Sequence, residues 1–112
     1  MCTNLVTAPD LPATELKDNC YKGMFNMCTN LVTAPDLPAT DLKDNCYTEM
    51  FFDCENLNYL KVYFTDWKED KNATKNWVDC IYAGGTFYYK TGLDVSKKNG
   101  SHVPVYFSTQ TF

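Results

Sequence analysis

The chain has 112 residues, of which 45% are apolar and 15% aromatic, and a net charge of −4; that is enough apolar surface for one domain with a core of its own. Its 10 basic residues are scattered, and Lys97-Lys98 is the sole adjacent pair, which argues against nucleic acid as the main partner, because phosphate binding needs a basic stripe. No apolar run approaches the roughly 18 residues of a membrane span, and the residues from Met1 onward show neither the basic nor the apolar region of a signal peptide.

The opening is written twice. Residues 1–25 read MCTNLVTAPDLPATELKDNCYKGMF and residues 27–51 read MCTNLVTAPDLPATDLKDNCYTEMF, differing only at Glu15/Asp41, Lys22/Thr48 and Gly23/Glu49. The offset is 26 residues, and a third copy starts in register, since Cys2 and Cys28 are followed by Cys54, and Leu5 and Leu31 by Leu57. A fixed period of this size marks units that stack.

Within the second copy, Leu31-Val32-Thr33-Ala34 has β-branched character and is closed by Pro35, which predicts a short strand. Leu37-Pro38 predicts an extended connector, because the residue before proline is pushed out of the α region. Thr40 then opens a predicted helix, with Asp41 and Asp44 in its first turn, where carboxylates suit the dipole. Leu42, Cys46, Tyr47, Met50 and Phe51 fall at i, i+4, i+5, i+8 and i+9, one face of an α-helix. Neither element can bury its apolar side alone, so the copies must stack.

The third copy keeps the strand, as Leu57-Asn58-Tyr59-Leu60-Lys61-Val62, the LxxLxL spacing of a leucine-rich repeat. A second helix is expected from Thr74 to about Ala83, stopped by Gly84-Gly85. Thr86 to Lys90 reads as a strand, residues 91–102 as a polar loop turning at Asn99-Gly100, and Val103 to Phe112 as a last strand. The expectation is therefore one α/β domain over 1–112. It is a short leucine-rich repeat solenoid with a strand plus a helix per 26-residue repeat, copies starting near 1, 27 and 53 within 1–62, and an α/β C-terminal cap over 63–112. Trp67, Trp77, Phe87 and the Tyr88-Tyr89 pair would supply apolar surface for that cap. Nothing comparable covers the first copy, so Met1 to Phe25 is expected to be frayed or covered by another chain.

The unit running from Phe25 through Phe51, F-x-x-C-x-x-L-x-x-A-P-x-L-P-A-T-x-L-x-x-x-C-Y-x-x-M-F, resembles the BspA-like leucine-rich repeats of Bacteroides and related gut bacteria. Cys54-Glu55-Asn56-Leu57 and the later Asn76-Trp77-Val78 and Gly85-Thr86-Phe87 also look like the terminal segment of those proteins; after residue 91 the likeness fades. The resemblance implies an extracellular or cell-surface bacterial protein for adhesion or protein–protein contact, with no catalytic residues and no cofactor to carry over.

In an LxxLxL strand the x positions face outward, where such folds commonly bind partners. These are Tyr59 and Lys61, with Tyr63 next in alternation, and Thr33 and Pro35 in the preceding copy (Thr7 and Pro9 in the first). Tyrosine beside charge suits a contact patch for a protein partner or host surface ligand; the bland reading is that the rings cover the edge of the core. The alternative function is structural: the terminal cap of a longer repeat protein, or a homo-oligomer formed through the uncapped N-terminal repeat.

Other constellations carry less. Five of the six cysteines occupy repeat positions, Cys2, Cys28 and Cys54 one and Cys20 and Cys46 another, which suits columns of buried thiols, although disulfides between neighbouring units are also allowed by spacing. Metal binding is not expected, because there is no CxxC pair and His102 is the sole histidine. Cys80 with His102 lacks an orienting third group for nucleophilic catalysis. Asp66, Glu69 and Asp70 lack the glycine of a calcium loop and read as a solvated turn rather than a calcium or glycosidase site. Asn72-Ala73-Thr74 and Asn99-Gly100-Ser101 match the glycosylation pattern, and with the bacterial origin that the resemblance implies they read as polar turns.

Overall fold

The structure, a computed structural model, describes residues 5–8, 11 and 13–112. Cys2, which heads one cysteine column, and Pro9, the first-copy counterpart of Pro35, lie outside the described residues.

The repeat shows first in the backbone. Residues 18–27, 44–53 and 72–80 are unbroken runs of turns. In the first run, Asn19, Tyr21, Gly23, Phe25 and Met27 donate their amides sideways to the carbonyls of Asp44, Cys46, Thr48, Met50 and Phe52, at 2.8–3.0 Å. The residues between them, Cys20, Lys22, Met24, Asn26 and Cys28, donate back along the chain to the carbonyl three residues earlier. The second run repeats this on the third: Asn45, Tyr47, Glu49, Phe51 and Asp53 donate to Lys71, Ala73, Lys75, Trp77 and Asp79, at 2.8–3.1 Å. Three successive passes of the chain thus lie side by side in register.

The helices expected from Thr40 and from Thr74 to Ala83 are therefore absent, and the described residues contain no α-helix. Every fourth residue of each run is left-handed: Asn19, Gly23 and Met27 at φ 60 to 64°, Asn45, Glu49 and Asp53 at 53 to 61°, Asn72, Asn76 and Cys80 at 52 to 63°. A left-handed residue breaks the i to i−4 ladder and sends the next bonds outward to a neighbouring pass. The apolar spacing misleads because a period of four and a helical period of 3.6 diverge by less than about one residue over two turns. The one short helix among the described residues is a 3-10 turn at Glu69–Lys71, inside a stretch that reads as a polar turn.

On the opposite side of each pass the chain is extended. β1 (Tyr59–Lys61), β2 (Gly85–Tyr89) and β3 (Phe107–Thr111) form a parallel sheet in the order β1-β2-β3, with Tyr59 opposite Thr86 and Thr86 opposite Ser108. The row continues backward through single parallel bridges, Thr7 to Thr33 and Thr33 to Tyr59. The strand expected over Leu31–Ala34 is thus one bridging residue, because Pro35 has no amide to continue the pairing. The last strand starts at Phe107 rather than Val103, because the chain first turns, with the Phe107 amide donating to the Pro104 carbonyl at 3.0 Å.

Between the two sides lies the core. Equivalent side chains of the first two passes stack: Tyr21 on Tyr47, with ring centroids 6.1 Å apart, and Phe25 on Phe51 at 5.7 Å; in the third pass Trp77 meets Phe51 at a tilt and stacks on the neighbouring Tyr47. Leu31, Leu37, Leu57, Leu60, Phe64, Trp77 and Phe87 are fully buried. The Trp77 indole donates to the His102 carbonyl at 2.9 Å and the Trp67 indole to that of Asp94 at 2.7 Å, which ties the segment after β2 to the third pass.

Two substitutions test this architecture. Glu49 holds a left-handed conformation where the first copy has Gly23, so Glu49→Gly is expected to stabilise by about 0.5–1 kcal/mol in urea unfolding; a helix there would give a loss of similar size. A Cβ on Gly85 would overlap the backbone of Asn58, whose carbonyl accepts the Thr86 amide. Gly85→Ala is expected to cost about 1–3 kcal/mol by forcing β2 away from the third pass, read in the same unfolding experiment.

Candidate recognition face

The outward residues of β1 alternate with buried ones: Tyr59, Lys61 and Tyr63 are half-buried at the surface, while Leu60 and Val62 are fully buried. Register sets Thr86 beside Tyr59 and Tyr88 beside Lys61. The rings of Tyr59 and Tyr88 lie 5.4 Å apart, and the Tyr59 hydroxyl donates to Asp36 Oδ1 at 3.1 Å. Partial burial, then the Asp36 carboxylate, push the Tyr59 hydroxyl up to about 12, so it remains a neutral donor at physiological pH.

At the far end of the face, Tyr63 meets Phe112 edge to face at 5.0 Å. The ammonium groups of Lys61 and Lys90 sit 4.4 and 4.0 Å from the Phe112 ring centroid, and Lys90 also donates to the Phe112 carbonyl at 3.3 Å. Cation–π contact holds two flexible lysines in place. The result is a surface of two tyrosine-centred clusters with a cationic end.

Thr33 lies half-buried in the same row, bridged to Tyr59. Pro35 is buried and does not reach the face. The Ala34 amide donates to the Tyr59 carbonyl and the Leu37 amide to that of Lys61, drawing the segment on both sides of Pro35 against the third pass. Asp36, Lys90 and Phe112 join the face without having been singled out in the sequence, and Tyr88, expected as apolar surface of the cap, joins it too. Tyr88 and Lys90 could have been found by aligning the alternation of Thr86-Phe87-Tyr88 with that of Tyr59-Leu60-Lys61; nothing marks Phe112.

His102 is drawn elsewhere. With Glu69, Asn72, Thr74, Lys75 and Ser101 it lines an open cleft of about 240 Å3. Its Nε2 faces Glu69 Oε1 at 3.2 Å and its Nδ1 faces Asn99 Oδ1 at 2.9 Å, an oxygen that also accepts the Ser101 amide. Lys97, then His102, hold the Glu69 carboxyl below its usual range. Cys80 lines a different cleft, with Tyr82, Val105 and Tyr106, so the structure does not assemble the Cys80–His102 pair. Among the described residues no three His, Cys, Asp or Glu side chains gather where a metal ion could be held. No helix among them is long and apolar enough to cross a membrane.

Against known proteins the chain stands apart: no family model, no curated protein and no solved structure matches it.

Cys46 and Cys54 are fully buried free thiols, and Cys54 Sγ donates to the Phe25 carbonyl at 3.0 Å. Burial raises the Cys46 thiol from 9.0 to about 11 and the Cys54 thiol to about 12. A thiol whose pKa is raised by folding favours the fold while protonated; that contribution is complete below about 9 and is lost as pH rises through the folded values. The thermal midpoint should therefore fall between about pH 9 and 11, and the double variant Cys46→Ala/Cys54→Ala should lose less over the same window when melted across it.

Proposed function

We propose that the chain is a non-catalytic recognition module of the leucine-rich repeat class, which takes a protein or a host surface ligand on its parallel-sheet face. The observation that carries this is the alignment of Tyr59, Lys61 and Tyr63 with Tyr88, Lys90 and Phe112 on one surface. Rigid aromatic rings offer contact area at low entropic cost, and such residues dominate binding energy at interfaces. The near 26-residue repeat of backbone bonds supports a short solenoid, and the resemblance to BspA-like repeats supports a place outside the cell or on its surface.

A second reading is structural, in which the chain is the end unit of a longer stack. It is supported by the loop at residues 99–102. That loop takes the amides of the third run through the Ser101 hydroxyl, 2.9 Å from the Asn76 amide, and the Gly100 carbonyl, 3.0 Å from the Val78 amide.

Selection of ligands from a displayed random-peptide library on the native chain tests the first reading. Ligands so selected should lose at least about tenfold in affinity on the Tyr59→Ala/Tyr63→Ala chain, with folding checked by urea unfolding. Undiminished binding by a folded double variant would remove the face from the interaction.

A further inference from the structure

The two near-identical copies act as a control on each other, because the same residue sits in both the first and the second pass. Met50 is fully buried, whereas Met24 is 43% exposed. Cys46 is fully buried and Cys20 is exposed; Tyr47 is buried and Tyr21 only half-buried. Met27 and Val6 of the first pass are also exposed, at 41% and 53%. The local sequence is nearly unchanged, so the difference comes from what is stacked on each pass. The second pass has a neighbour on both sides.

Backbone polarity says what would fit. Each turn run sends amides toward the following pass and receives them on carbonyls from the preceding one. In the first run the carbonyls of Asp18, Cys20, Lys22, Met24 and Asn26 occupy the receiving positions, and no described residue donates to them. At the other end the outward amides of Asn76, Val78 and Cys80 are taken by Ser101, Gly100 and Asp79 Oδ1. One end of the stack is finished and the other offers a row of acceptors beside an apolar ladder. Two copies meeting through this face would set carbonyls against carbonyls, and a head-to-tail copy would present amides that are already engaged.

The geometry points to a docking surface for one further coil of the same repeat, in line with the first pass, bringing sideways amides to Asp18, Cys20, Lys22, Met24 and Asn26 and apolar side chains to Tyr21 and Met24. The interface it would form continues the one already present between the first and second passes. It deepens the end-unit reading and owes nothing to the ligand of the sheet face.

A chain lengthened by an in-line copy of residues 27–52 ahead of residue 1 tests this. The readout is maleimide labelling of Cys20, followed by mass spectrometry of its own peptide, which Lys22 and Gly23 distinguish from the corresponding peptides of the other copies. Labelling of Cys20 should slow by at least about tenfold, toward the rate of a core thiol that reacts only through opening. A scrambled extension of equal composition should leave Cys20 at its original rate. The proposal falls if the true copy gives no protection, or if the scrambled one protects as well. It also falls if the unextended chain protects Cys20 in step with its own concentration, which would assign the face to a second copy. Tyr59 and Tyr63 are untouched throughout, and retained peptide binding would show that failure here leaves the recognition reading standing.

Discussion

Everything in this molecule hangs on amides that bond sideways. In each turn run every second backbone N–H leaves its own pass and finds a carbonyl in the next one, five times between the first and second passes and five between the second and third. At roughly 0.5–1.5 kcal/mol net for each hydrogen bond, the five bonds of one interface offset the cost of the left-handed residues that make it possible, about 1–2 kcal/mol for a residue with a side chain. Gly23 carries no such cost, and asparagine at positions 19, 45, 72 and 76 tolerates the conformation best among the rest. These bonds tie neighbouring passes together over their whole width, and the side chains follow. Tyr21 stacks on Tyr47, and Phe25 on Phe51, because their backbones are already held in register.

That register also builds the sheet face. Short parallel strands are weak pairing elements taken singly, and the rows at Thr7 and Thr33 are single bridges. They are held by the turn runs on the far side and by the leucine and aromatic layer between. Tyr59, Lys61 and Tyr63 stand on the most regular part, where β2 and β3 add two more strands. Those later strands come from sequence that does not follow the repeat, so the variable part of the chain supplies most of the distinctive surface.

The period, the three copies, the alternation of β1 and the strand of β2 were legible in the sequence. Periodicity records what recurs, and the buried residues Leu31, Leu57, Cys46 and Cys54 recur faithfully. The helices were misread for a physical reason. Leu42, Cys46 and Met50 satisfy a four-residue period as well as a helical one, and the deciding signal was the backbone-tolerant residue at every fourth place, Asn19 then Gly23, and Asn72 then Asn76. Glu49, Met27 and Cys80 hide that signal, because no local preference selects them for a left-handed conformation. Pro35 was misplaced because counting alternate residues assumes an extended strand, and the strand ends before it. Phe112 reaches the face through tertiary contact alone with Tyr63, Lys61 and Lys90, which one-dimensional spacing does not encode.

The two matched copies have a consequence at the level of the gene. Unequal exchange between such similar coding segments adds or removes whole units. Because all the sideways amides of one run meet carbonyls at the same offset, 25 residues on from the first run and 26 from the second, a chain altered by one whole unit still offers every donor an acceptor of the same kind. An insertion inside a turn run that is not a multiple of four shifts the left-handed positions out of phase with the neighbouring pass, and an odd one also turns the sideways amides away from their carbonyls. Length variation in this part of the chain is therefore quantised, and the hydrogen-bond ladder acts as a filter on which recombinants can fold.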